Sequence, residues 1–177
     1  SLWCWGRNTS GQLGDGTRTD RPEPTTVSSP SPSGWAGVAT GNEHTCAVWT
    51  DRTLWCWGAN EAGQLGDGTT TGRSSPVRVG TQASWTGVVA GHRHTCAVRA
   101  DGTLWCWGYN TFGSLGDGTT TARYDLTQVG TDAGWARVSA SGDRHTCAIR
   151  VDGDLWCWGY ALNGQLGVPF PALHRVG

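Results

Sequence analysis

The chain repeats itself, and that repeat restricts its fold more than any other feature. The string "LWCWG" begins at Leu2, Leu54, Leu104 and Leu155. After it come "GQLGDGT" at Gly11 and Gly63 and "GSLGDGT" at Gly113. A Val-ended run follows (Val27, Val79, Val129), then W-x-x-V from Trp35, Trp85 and Trp135, then "HTCA" from His44, His94 and His145. A period of about fifty residues, made of short β-like runs between glycine turns, matches the blades of a β-propeller. Helical repeats need a sustained apolar period of about 3.6 residues, which no window here carries.

The expected fold is therefore all-β, with blades of four antiparallel strands. Those strands are the Val-ended run, the W-x-x-V run, "HTCAV" and "LWCWG". The chain reads as a single repeat region, 1–177, with units 2–53, 54–103 and 104–154 and a partial unit 155–177. Three and a half units fall short of a ring; seven blades at this period need roughly twice the length. Two copies would bring more "LWCWG" strands than "HTC" strands, so the preferred expectation is a segment of a longer chain. The second is an open assembly, in which the unpaired blade ends of one copy are completed by the next, head to tail.

The turn in "HTCAVRADGTLWCWG" (94–108) sets a register. Ala100, Asp101 and Gly102 suit a type I turn closed by a left-handed glycine. Counting outward pairs Arg99 with Thr103, Val98 with Leu104, Ala97 with Trp105 and Cys96 with Cys106. A hydrogen-bonded first pair makes the cysteine pair a non-hydrogen-bonded one, where side chains stand closest. The same count sets Cys46 opposite Cys56 and Cys147 opposite Cys157. Disulfides at Cys46–Cys56, Cys96–Cys106 and Cys147–Cys157 are the favoured reading, and they imply an oxidising, extracellular or cell-surface location. A column of buried free thiols is the alternative. Zinc ranks lower, because the spacing is not Cys-x-x-Cys, although His44, His94 and His145 each precede a cysteine by two. Cys4 has no facing "HTC" strand and is expected to be unpaired in this chain.

Strand alternation sends Cys96, Val98, Leu104 and Cys106 to one face and Ala97, Trp105 and Trp107 to the other. A sheet that is apolar on both faces must be covered on both. The expectation is that the paired Trp of each blade pack on the sulfur-lined face of the next, which accounts for twelve Trp against two Phe.

These strings resemble the repeats of the regulator of chromosome condensation family, which read roughly W-G-x-N-x-x-G-Q-L-G-x-G with a later G-x-x-H-[ST] strand. The carriers are "WGRNTSGQLGDG" from Trp5, "WGANEAGQLGDG" from Trp57 and "WGYNTFGSLGDG" from Trp107, with "GNEHT" at Gly41, "GHRHT" at Gly91 and "GDRHT" at Gly142. The resemblance implies a β-propeller, usually of seven blades, and no single activity. Such repeats occur in nucleotide-exchange factors, ubiquitin-ligase modules, a plant ultraviolet receptor, β-lactamase inhibitors and secreted bacterial proteins. The cysteine pairs depart from the general pattern and point to the secreted bacterial branch. The ultraviolet receptor carries Trp in G-W-R-H-T, where this chain has Asn42, His92 and Asp143, which argues against light sensing. The last unit has Ala161 where Asn is expected and lacks Asp-Gly-Thr. Ser141 adds a residue before "GDRHT", read as a bulge. Arg52 stands in place of the turn glycine, at a cost of about 1 kcal/mol if the turn stays left-handed.

No catalytic, cofactor-binding or metal residue is expected. Asp15, Asp67 and Asp117, with Asn8, Asn60 and Asn110 nearby, could offer oxygens to calcium, but one Asp before Gly-Thr reads better as a turn bonding its own backbone. The "HTCA" histidines read as buried, hydrogen-bonded strand residues, since catalytic groups are not written three times over. Trp49, outside the aromatic columns, is a candidate contact residue or a scattered surface aromatic. A net charge of −1 offers no field for nucleic acid or an anionic membrane, and no apolar run reaches the roughly 18 residues of a membrane span.

The functional expectation is a non-catalytic extracellular scaffold or protein-binding module, with specificity in inter-repeat loops such as Arg18–Gly34. Its partner is an unidentified protein or, through open blade ends, the chain itself. The alternatives are a carbohydrate-binding module using exposed Trp, or guanine-nucleotide exchange.

Overall fold

The computed structural model describes residues 1–28, 34–142, 144–162, 164, 166 and 174–175. Among these there is no helix. The strands are β1 (Trp3–Gly6), β2 (Arg21–Thr26), β3 (Trp35–Thr40), β4 (His44–Trp49), β5 (Leu54–Gly58), β6 (Arg73–Arg78) and β7 (Trp85–Ala90). They continue as β8 (His94–Arg99), β9 (Leu104–Gly108), β10 (Arg123–Gln128), β11 (Trp135–Ser141), β12 (His145–Arg150), β13 (Leu155–Gly159) and β14 (His174–Arg175). They form three antiparallel four-stranded sheets, β3–β6, β7–β10 and β11–β14, and a two-stranded pair, β1–β2. The inner strand β7 lies against both β3 and β11, so the sheets stand as successive blades.

Each blade runs outward in the order W-x-x-V, "HTCA", "LWCWG", then a polar run. That last strand differs from expectation. Apart from Val77, which pairs with Cys56, "RPEPTT" and "RSSPVR" hold no large apolar side chain because they form an outer edge, where Pro22, Pro24 and Pro76 remove no needed ladder donor. Val27, Val79 and Val129 sit buried just beyond it, each donating its amide N–H to the carbonyl of Leu2, Leu54 or Leu104. Part of the segment Arg18–Gly34, expected to be a loop, is thus strand β2; residues 29–33 lie outside the described residues.

The hairpin register is the one the turn dictates. Val98 pairs with Leu104, Ala97 with Trp105 and Cys96 with Cys106, with Arg99 N–H bonded to the Thr103 carbonyl at 3.0 Å. Gly102 is left-handed at φ 79°, and Arg52 keeps that geometry at φ 65°. Ser141 is no bulge. It extends the ladder by pairing with His145, and Gly142 at φ 57° turns the chain. Register shifts fall one residue into each inner strand, between Trp35 and Gly37, Trp85 and Gly87, and Trp135 and Arg137, and again where the outer strands pair, between Cys4 and Gly6, Cys56 and Gly58, and Arg123 and Thr127.

The core lies between sheets. Cys46, Val48, Leu54 and Cys56 of one blade meet Trp85, Ala97 and Trp107 of the following one, with Trp105 at the margin. The next interval repeats this with Cys96, Val98, Leu104 and Cys106 against Trp135, Ala148 and Trp158. The indoles therefore cover the sulfur face of the preceding blade, not the next, because alternation defines the two faces without defining the sense of stacking. A close approach supports the contact: a Cβ on Gly66 would lie 2.6 Å from Trp107 Nε1. Trp49 is buried, 2% exposed, and packs edge-on to Trp35 at 4.1 Å. Its expected surface role fails because Trp35 on the paired strand β3 packs against it; the equivalent position in the next blade is Arg99, which lies over Trp85 and Trp105 at 4.6 and 4.2 Å.

Candidate functional site

Strands that pair at the predicted register bring the sulfurs together. Cys46–Cys56, Cys96–Cys106 and Cys147–Cys157 are disulfides, each with Cα atoms 4.1 Å apart. Cys4 is free and half-buried, beside Trp57 and Trp35, and burial raises its thiol pKa.

The "HT" dipeptide forms a relay between blades. Thr95 donates its hydroxyl to the Gln64 carbonyl at 2.8 Å, and Trp107 Nε1–H donates to the same oxygen at 2.9 Å. Because that hydroxyl proton is committed, His44 Nε2, 2.8 Å from Thr95 Oγ1, is the donor in their bond. His94 and Thr146 repeat the pattern at 3.0 Å, with Thr146 and Trp158 both on the Ser114 carbonyl. Burial, and after it the nearby His94 and His92, lowers the His44 pKa to about 3, so its imidazole is neutral. His145 belongs to the last described blade and is half-buried. His44 and His94 are buried structural donors, as expected, whereas His145 departs from that expectation in being only half-buried.

The aspartates are turn formers. Asp15 Oδ1 accepts from the Thr17 amide and hydroxyl and from the Asn8 amide, and Oδ2 pairs with Arg21 at 2.8 Å. Desolvation opposes the charge, but the donors Thr17, Arg21 and Asn8 outweigh it and hold the carboxyl at about 2. Asp67 with Arg73 and Asp117 with Arg123 repeat the arrangement. A calcium ion would have to displace these donors. Among the described residues no group of three or more His, Cys, Asp or Glu side chains is arranged to hold a metal. At Ala161 the backbone turn persists without the Asn side chain, with Gly164 N–H on the Ala161 carbonyl at 2.9 Å.

What remains for recognition is the set of positions that differ from repeat to repeat. Some of them, Val77, Arg78, Asp125 and Leu126, line a cavity of about 500 Å³ against the outer strands; others gather on the face of the G-x-x-H-T and W-G-x-N loops. Between the first two full blades lies a cleft of about 420 Å³, lined by Asn42, Glu43, Glu61, Ala62, His92, Arg93, Tyr109 and Tyr124 among others. Arg7 pairs with Glu43 at 3.2 Å on its margin. In the following interval Phe112 packs edge-on to Tyr160 at 5.2 Å, with the Arg144 guanidinium over both rings. Asn42 and His92 stand at the rim of the cleft; Asp143 lies outside the described residues.

Comparison with known proteins agrees with this architecture. The family profile described as "Regulator of chromosome condensation (RCC1) repeat" matches residues 1–48 and 52–98, and a second profile of the same description matches 35–64, 85–114 and 136–165. The chain belongs to the RCC1-repeat family. Among relatives of this family, the ultraviolet-B receptor UVR8 of Arabidopsis thaliana is 36% identical over 167 residues, covering 93% of this chain and 38% of the receptor. Human WBSCR16 superposes with a TM-score of 0.84 at 22% identity, over 99% of this chain and 48% of that one. Prp20p of Saccharomyces cerevisiae gives 0.81 at 20% identity, over 98% and 46%. The chain spans less than half the length of these relatives, and the structural likenesses establish the RCC1-type propeller fold.

Sequence reasoning did not single out Glu43, Glu61, Arg93, Tyr109, Phe112 or Tyr124. The signal was present in the deviations between otherwise identical lines: Glu43, Arg93 and Arg144 precede "HT", while Ala59, Tyr109 and Tyr160 follow "WG".

Proposed function

We propose that this chain is a non-catalytic, disulfide-braced extracellular scaffold that binds protein through the face carrying the G-x-x-H-T and W-G-x-N loops. One observation carries the reading. The recurring polar side chains Asn, Asp, His and Thr are consumed within and between the blades, whereas the variable residues Asn42, Glu61, Arg93 and Tyr109 share one accessible cleft. Yeast Prp20p is described with binding properties to Gsp1p and histones, and yeast RCC1 bound to Kap60, so protein partners suit this architecture. The bridges support an extracellular setting, because disulfides persist where glutathione does not reduce them.

Intact mass of protein from its native source, before and after reduction, tests the compartment. A gain of about six hydrogens is expected from three bridges; unchanged mass removes the extracellular reading. A photo-cross-linker at position 42 or 61 should yield protein adducts, and one at Glu23 on the outer strand should not. Equal labelling from both faces overturns the loop-face reading. Sugar binding is disfavoured because only Trp3 and Trp5 of the twelve indoles are exposed. Nucleotide exchange in a reducing compartment conflicts with the bridges.

A further inference from the structure

We propose that the cleft between the first two full blades receives an aromatic side chain, Phe or Tyr, presented by the protein partner. This rests on the loop-face reading and adds the chemistry of what is bound.

The next interval of the same molecule carries the argument. There Phe112 projects from the loop after "LWCWG" and inserts between two tyrosines. Its ring lies 6.2 Å from Tyr109 at 66° and 5.2 Å from Tyr160 at 77°, the edge-to-face geometry that aromatic quadrupoles favour. The Arg144 guanidinium sits 5.2 Å from the Phe112 ring and 4.9 Å from Tyr160, a cation over π faces. That interval is a ring-binding site filled by the chain's own residue.

One blade earlier, the receiving groups recur without the ring. Tyr109 occupies the place of Tyr160, Arg93 that of Arg144, and Ala62 that of Phe112. With a methyl group where a benzyl group would sit, the space opens as the cleft of about 420 Å³. The second tyrosine does not recur: buried Ala59 stands in place of Tyr109. Tyr124 supplies a further aromatic wall, and Arg93 is exposed and able to fold over an inserted ring. Asn42 and Glu61 at the rim offer an amide and a carboxylate to the backbone of a segment bearing that ring.

The test uses the whole oxidised chain, ¹⁵N-labelled, titrated with N-acetyl-phenylalaninamide and N-acetyl-tyrosinamide, with N-acetyl-leucinamide as the aliphatic control. The aromatic amides should shift the Arg93, Tyr109 and Tyr124 signals with a Kd on the order of 1–10 mM. Ala62→Phe should weaken binding at least tenfold by filling the site from within. Phe112→Ala should open a second site, seen as new shifts at Arg144 and Tyr160. Arg93→Ala, an exposed change that leaves the core untouched, should weaken binding severalfold and decides the matter if a cleft variant fails to fold. Equal response to the leucine amide, or equal binding by Ala62→Phe or Arg93→Ala, overturns the proposal. A silent titration together with protein adducts from positions 42 and 61 removes the aromatic site and leaves the loop-face reading standing. Titration shifts without such adducts uphold the ring site and remove that reading instead.

Discussion

Thr95→Val isolates what the His–Thr relay contributes. The substitution keeps the side-chain shape and deletes one hydroxyl at a fully buried position. The Gln64 carbonyl loses the Thr95 donor but keeps Trp107 Nε1–H at 2.9 Å, so that loss is one ordinary hydrogen bond, about 1 kcal/mol. His44 Nε2–H, by contrast, loses the acceptor 2.8 Å away inside a buried interface, a further penalty of about 1–3 kcal/mol. The total is about 2–4 kcal/mol. Thr45→Val is the internal control. Thr45 donates to the Gln12 carbonyl at 2.8 Å, Trp57 Nε1 shares that oxygen at 2.9 Å, and no described histidine bonds to the Thr45 hydroxyl. Its expected cost is about 1 kcal/mol. Urea unfolding at pH 7.5, followed by Trp fluorescence with midpoint and slope fitted together, measures both. Equal destabilisation by the two variants, within about 0.5 kcal/mol, would refute the relay as a stabilising element.

Three other outcomes follow from the same structure. Lowering the pH should destabilise the fold below about 6.5, because His44 protonates in the unfolded chain and not in the folded one until about pH 3; the loss is roughly 2 kcal/mol by pH 5, and a flat urea midpoint between pH 7.5 and 5 would contradict it. Cys96→Ala with Cys106→Ala opens a loop with a sequence separation of 10 and should cost about 2–3 kcal/mol on chain entropy, read from the denaturant midpoint against the oxidised parent. Arg52→Gly should stabilise by up to about 1 kcal/mol, since Arg52 holds φ 65° where later turns place glycine; a lower thermal midpoint would show that the arginine side chain matters more than its backbone.

How much of this was legible beforehand depended on the range of the interaction. Cys96 faces Cys106 because a three-residue turn directly between Arg99 and Thr103 leaves no other register, and the turn chemistry of Ala100–Asp101–Gly102 is local. Asp15 closes on Thr17 for the same reason. Trp49 was misread because its surroundings are supplied by Trp35 and by the packing of the blade, which no neighbouring residue in the chain announces. The cleft was invisible for a related reason: Ala62, Arg93 and Tyr109 come from three separated segments and meet only when two blades stack.

The amino-acid string alone determined the blade repeat, the hairpin register, the cysteine pairs and the two-faced apolar strands, because turn stereochemistry and a side-chain period of two act over a few residues. The tertiary structure decided which blade covers which face, that strands β2 and β6 are largely polar edges, and that His44 reaches Thr95 across the interface. Those depend on the sense in which twisted sheets stack, and that sense emerges only when segments about fifty residues apart pack together.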